Sequence, residues 1–257
     1  MGKIGEQRGR EGPPVRGDHV ALPLLNQLPE FCSVLLSGPP GVGKFEFLME
    51  ALDRYLEDGQ PVVFVCIDVG PGELQAHLRR SGRDPTLVLG RGLSVVDGFT
   101  AAVSDEGIED REGVRVVSSL SNLEGLGMAI TEGAANHNRP VKVFVYTIST
   151  LFLHNSAPSL SKFFQIVSAR VKTQMGTILY ASQAGVTEER QDNLLRSLVD
   201  GVIDMRFNAS LGREVMLHHL RGYRIVPEWI PIREDGYRAG HAAPATVSRY
   251  ASKGENA

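Results

Sequence analysis

Cysteine is nearly absent: Cys32 and Cys66 are the two in 257 residues, and neither forms a Cys-x-x-Cys pair or a Cys/His cluster at metal-ligand spacing. That usage argues against a stapled miniature fold and a zinc site, and both thiols read as small core residues of a reducing compartment. Long hydrophobic runs are lacking too. The longest apolar-rich stretch, 141–153, contains Lys142 and three Ser and Thr residues and is too short to cross a bilayer. With no apolar signal core at the N-terminus, a soluble, cytoplasmic protein without membrane contact is expected. Charge of one sign is also missing, since 27 Lys and Arg face 30 Asp and Glu, a net of −3. There is no global basic field to attract nucleic acid and no extreme acidity.

What is present suits a globular core, with 42% hydrophobic residues. Residues 1–18 hold almost no large apolar side chain and are expected to be a disordered arm, and 239–257 a flexible tail. The intervening 19–238 reads as one domain, with no repeat or linker. Apolar strand signals recur at 33–37, 62–67, 94–97, 114–117, 141–146 and 177–181, with helical periodicity between most of them. Ser121 and Glu124 form a capping-box pattern, and a second helix is expected over 160–175. Such alternation predicts an α/β fold with a mostly parallel central sheet flanked by helices. After Asp200 the pattern changes: apolar runs at 202–207 and 215–220 flank a polar bend and predict a C-terminal antiparallel hairpin, and 229–232 suggests one more strand.

Chemistry concentrates at Gly38, Pro39, Pro40, Gly41, Val42, Gly43 and Lys44. This is the frame of a phosphate-binding P-loop, whose glycines let backbone amides approach phosphate at a helix N-terminus while Lys reaches the outer phosphates. The strand before it and the helical spacing of Phe45, Leu48, Met49, Leu52 and Leu56 after it supply the required context. The next position, where the motif has a Ser or Thr hydroxyl for Mg²⁺, is Phe45. The adjacent pair His218 and His219 does not suggest a metal site, because neighbours on a strand face opposite ways.

The chain resembles the KaiC-like branch of the RecA superfamily over about residues 22–237. That branch has an apolar strand ending in Asp and followed by Ser, an apolar residue and Ser. Here 141–145 is followed by Tyr146, Thr147, Ile148 and Ser149, with Tyr146 at the Asp position. A strand ending in two acids corresponds to Asp68 and Val69, and a Lys-x-Arg-Gly segment to His219, Leu220, Arg221 and Gly222. Gln183 resembles the glutamine that senses the terminal phosphate. The resemblance implies a RecA-like P-loop NTPase fold, ATP or ADP as cofactor, Asp68 as surviving catalytic carboxylate, Arg221 acting in trans, and an assembly of like or unlike RecA-type subunits.

Phe45 and Tyr146 remove both protein ligands of one Mg²⁺ ion, so no residue is assigned to metal. At roughly 3 kcal/mol for each lost stabiliser, hydrolysis slows on the order of 10⁴-fold. The two rings are expected to touch where the ion would sit. Three readings follow: a nucleotide-binding regulatory or assembly subunit with weak or absent hydrolysis; an active ATPase using Asp68 or Asp97; and a DNA-binding recombination accessory. The last is disfavoured by the short acidic stretch after Gln183.

Overall fold

The computed structural model describes residues 21–103, 109–186, 188–232 and 247–249. The arm expected over 1–18, and the tail expected over 239–257 apart from 247–249, lie outside them.

The chain runs α1 (Ala21–Leu25), β1 (Ser33–Gly38), α2 (Lys44–Glu57), β2 (Val62–Cys66), α3 (Pro71–Arg80), α4 (Pro85–Val88), β3 (Leu93–Asp97), α5 (Thr100–Val103), β4 (Val114–Val116), α6 (Leu123–Ala135), β5 (Val141–Tyr146), α7 (Leu151–His154) and α8 (Ala157–Arg170). It continues through β6 (Gly176–Gln183), α9 (Glu189–Leu198), β7 (Gly201–Phe207), β8 (Arg213–Leu220), β9 (Tyr223–Ile225), β10 (Ile230–Ile232) and β11 (Val247–Arg249). Nine strands form one sheet in the order β10-β8-β7-β1-β6-β5-β2-β3-β4, and β9 pairs with β11 separately. From β7 to β4 every pairing is parallel, while β8 joins β7 and β10 antiparallel, so the mostly parallel sheet and its terminal hairpin are both present.

The strands read as continuous apolar runs because both sheet faces are covered. Along β1, Val34 and Leu36 join Phe47, Leu48, Leu52 and Phe64 in the core under α2. Leu35 points the other way, toward Val65, Ile130, Phe163 and Tyr180 under α6 and α8. Among the described residues, no helix is long and apolar enough to cross a membrane.

Local signals were misplaced in two helices. Asn122, not Ser121, caps α6: its side chain accepts from the Gly125 amide at 2.9 Å, since the residue directly before the first helical position reaches the third helical amide. The helix expected over 160–175 starts earlier, at Ala157 behind the Ser156 cap, and its α-helical part ends at Arg170. A single π turn, Val171–Met175, carries the chain to Gly176. There φ is +145° and a Cβ would lie 2.2 Å from the Val141 carbonyl oxygen, so only glycine lets β6 begin against β5.

Candidate functional site

The glycine loop connects the end of β1 to α2, and each glycine has a distinct task. Gly38 packs on the hairpin, where a Cβ would meet the Met205 carbonyl oxygen at 2.8 Å. Gly41 and Gly43 take φ of +74° and +94°, the left-handed region in which a side chain is strained. Gly43 is the N-cap of α2 and supplies no side-chain cap, so the first turn directs its amides into the loop.

Lys44 is buried, and its Nζ donates to the carbonyl oxygens of Gly38 and Pro39, both at 2.8 Å. Burial lowers its pKa to about 8, against the opposing pull of the Glu46 and Asp68 carboxylates. Beside it the expected ring contact is present: Phe45 and Tyr146 meet edge-on with centroids 5.3 Å apart, and Phe45 also meets Phe64 at 6.4 Å. Both rings are half-buried against the core under α2.

The surviving acids diverge. Asp68 accepts from the hydroxyls of Thr147 and Thr150, one on each carboxylate oxygen, and its amide donates to the Tyr146 carbonyl at 3.2 Å. Asp97 is buried and accepts from the Thr100 amide at 2.9 Å and hydroxyl at 2.6 Å. It is thus committed to the start of α5. Val69 is buried in the core under α2.

Gln183 comes to the loop through the sheet, since β6 lies between β1 and β5 and sets Gln183 in register with Gly38. Its amide donates to Ser149 Oγ at 2.8 Å, while its side-chain Oε1 is buried with no hydrogen-bond partner among the described residues. Arg221 lies at the other end of the sheet: Leu220 pairs with Gly201, and Gly201 with Val34 near the start of β1. A strand of that length puts it about 17 Å from the loop. Its guanidinium is 3.1 Å from Asp200 and donates to the Val199 carbonyl. His218 Nδ1, on β8, lies 3.2 Å from Asp204 on the adjacent β7.

Sequence reasoning missed Thr147 and Thr150 as partners of Asp68, and Glu46 and Glu73 as charges felt at Tyr146. Burial first, then the Asp68, Glu46 and Glu73 carboxylates, push the Tyr146 hydroxyl up to about 12. Glu46 was detectable as an acid in the first turn of the loop helix, and Glu73 holds the same position in α3, behind Pro71.

A pH dependence follows from Lys44. An anion in the loop favours the ammonium, which the folded chain loses as pH rises through about 8. Affinity for a nucleotide should therefore be flat below that pH and fall by up to about tenfold per unit above it, with proton uptake on binding visible as a buffer-dependent heat in calorimetry. A flat profile from pH 7 to 9.5 would exclude Lys44 as the titrating contact.

Residues 32–205 match the profile of a family of unknown function, DUF7504. Curated relatives include two UPF0273 proteins. The one from Thermotoga maritima is 28% identical over 76% of this chain and 81% of its own length. The one from Aeropyrum pernix is 29% identical over 77% and 80%. Among solved structures, the KaiC-like protein PH0186 of Pyrococcus horikoshii superposes with a TM-score of 0.65 at 20% identity, covering 93% of this chain and all of that one. The protein PH0321 of the same organism, described in complex with an unknown peptide, gives 0.64 at 16% identity over 87% and 94%. The fold is thus that of the KaiC-like proteins.

Proposed function

We propose that this chain, which belongs to the DUF7504 family of unknown function, binds ATP or ADP in the glycine loop with little or no hydrolysis and serves as a regulatory or assembly subunit. The observation that carries this reading is the Phe45–Tyr146 contact at 5.3 Å beside an otherwise complete loop. The residues fit a polyphosphate: Gly41 and Gly43 hold the loop in the left-handed conformation before the open helix N-terminus, and Lys44 can exchange two carbonyls for phosphate oxygens. They do not fit Mg²⁺ equally well, because an aromatic pair offers no oxygen of the motif's hydroxyl-and-carboxylate kind. Nucleotide titrated in excess magnesium and in chelator should give affinities within about threefold. A requirement for magnesium would show a protein carboxylate serving the ion.

A second reading, an active ATPase, is favoured by one observation: the Asp68 carboxylate is near enough to act on Lys44. Its two threonine partners would have to yield for it to reach a water. Turnover abolished by Asp68→Asn would establish it. Asp97 is turned onto Thr100 and supports it less. The DNA-accessory reading gains nothing from α9, which carries Glu189 and Asp192 in its first turn.

For assembly, Arg221 stands at the end of the sheet that a neighbouring subunit would have to present to this loop, and its side chain is 60% exposed. Its planar fork suits phosphate oxygens. Sedimentation should show ATP-dependent association that Arg221→Ala removes; a monomer under every condition excludes the trans role.

A further inference from the structure

The outer faces of α6 and α8 carry opposite patterns at one spacing. Along α8, Lys162, Ile166 and Arg170 follow one another every fourth residue and form a ridge of cation, apolar side chain and cation. Along α6, Glu124, Met128 and Glu132 form a ridge of acid, apolar side chain and acid. α8 contains no acidic residue and α6 no basic one. All six residues are exposed, Met128 to 50% and Ile166 to 41%. The helices run side by side in the same direction: the Asn155 amide, just before α8, donates to the Leu120 carbonyl at 2.9 Å, just before α6. Gly127 keeps them close and in step, since a Cβ there would meet Val167 at 3.3 Å and the Phe163 ring at 3.6 Å. Glu124 is thus level with Lys162, Met128 with Ile166 and Glu132 with Arg170. A groove of about 750 Å³ runs between the helices, walled by Glu124 and Met128 on one side and by Lys162, Ile166 and Arg170 on the other. No ion pair engages Glu124, Lys162 or Arg170 among the described residues, and Glu132 meets only Arg115, at 3.4 Å on the surface.

We propose that this face binds a second copy of the chain in a two-fold dimer whose axis runs along the helices, so that α6 of each copy lies on α8 of the other. The inference is independent of the nucleotide reading and of Arg221. Rotation about that axis preserves level and direction and exchanges left for right. It therefore sets Glu124 against Lys162 of the second copy, Met128 against Ile166 and Glu132 against Arg170, and repeats each contact by symmetry. The alternative two-fold, across the helices, would lay α6 on α6 and α8 on α8 and oppose like charges, so the pattern selects one orientation. The apolar pair in the middle of each ridge loses water, while the charges at its ends stay at the rim and set register. Helices about 20 Å long present less than the roughly 800 Å² per partner of a standard interface, so a dissociation constant on the order of 10–100 μM is expected.

The test is sedimentation velocity of the full chain without nucleotide, over a concentration series that brackets the expected constant. The wild type should shift from monomer to dimer across the series. Ile166→Gln, at an exposed position, should raise the dissociation constant at least about tenfold. The charge variants carry the sharper result. Lys162→Glu with Arg170→Glu makes both ridges acidic, Glu124→Lys with Glu132→Lys makes both basic, and each chain alone should be monomeric at every concentration. Mixed, the two should form a heterodimer at least as tight as the wild-type dimer, an outcome that a loss of folding could not produce; thermal melting checks that each variant is folded. A wild type that stays monomeric overturns the proposal, as does a dimer indifferent to Ile166→Gln or to charge reversal. Association that appears only with ATP and disappears in Arg221→Ala also overturns it, since that contact belongs to the other end of the sheet.

Discussion

Lys44→Ala is expected to weaken nucleotide binding by about 100-fold or more while leaving the fold intact. The ammonium is buried beside the first loop carbonyls, so in the complex it would face phosphate where solvent screening is weak. Truncating one partner of a buried, hydrogen-bonded charge pair costs about 2–5 kcal/mol, and a hundredfold loss corresponds to about 2.7 kcal/mol. Stability should respond little, for two reasons. The Gly38 carbonyl keeps a second donor, the Ala184 amide at 2.9 Å, and the Pro39 carbonyl keeps the Val42 amide at 3.4 Å. Removing the side chain also removes the desolvation that lowers its pKa. Calorimetric titration and thermal melting of the same preparation separate the two effects. Wild-type affinity in a folded Lys44→Ala chain would mean that the ligand does not sit in this loop.

The sheet was legible because its strands obey one rule. Runs such as 62–67 and 141–146 are mostly apolar on both faces, as a doubly covered strand requires, and two apolar runs flanking a polar bend after Asp200 marked the antiparallel hairpin. Strand order was not legible. That β6 separates β1 from β5, and so brings Gln183 into register with Gly38, depends on crossovers whose course no local pattern records. In the site, the glycine loop and the Phe45–Tyr146 contact followed from positions that the fold places side by side. The fates of the acids did not. Asp97 ends β3 and Asp68 lies just past β2, yet Asp68 is held by Thr147 and Thr150 from the segment after β5 and Asp97 turns onto Thr100 at the start of α5. That difference is set by the direction the chain takes after each strand. Ser121 and Asn122 show the same limit at one residue's resolution: both are good capping residues, and the helix starts at Leu123, which makes Asn122 the cap.

Restoring the motif's oxygen ligands is the sharpest test of what the ring pair does. The double variant Phe45→Ser with Tyr146→Asp replaces two rings in edge-on contact by a hydroxyl and a carboxylate at the positions from which both normally reach one ion. Two opposing effects are expected. Stability should fall by about 2–4 kcal/mol, because two half-buried rings and their mutual contact are lost, the contact alone being about 1 kcal/mol. Magnesium dependence should appear where the wild type has little. Without metal the new carboxylate adds negative charge beside the outer phosphate and repels it; with metal the same group becomes a ligand. The ratio of ATP affinity in magnesium to that in chelator should therefore rise by at least about tenfold over wild type, while the ratio for ADP changes less. Titration below the melting transition, with each single variant alongside, measures this. Phe45→Ser alone should give a smaller rise, since a hydroxyl without its carboxylate holds the ion weakly. If the folded double variant binds ATP with the same magnesium ratio as the wild type, the ring pair does not occupy the ion's position.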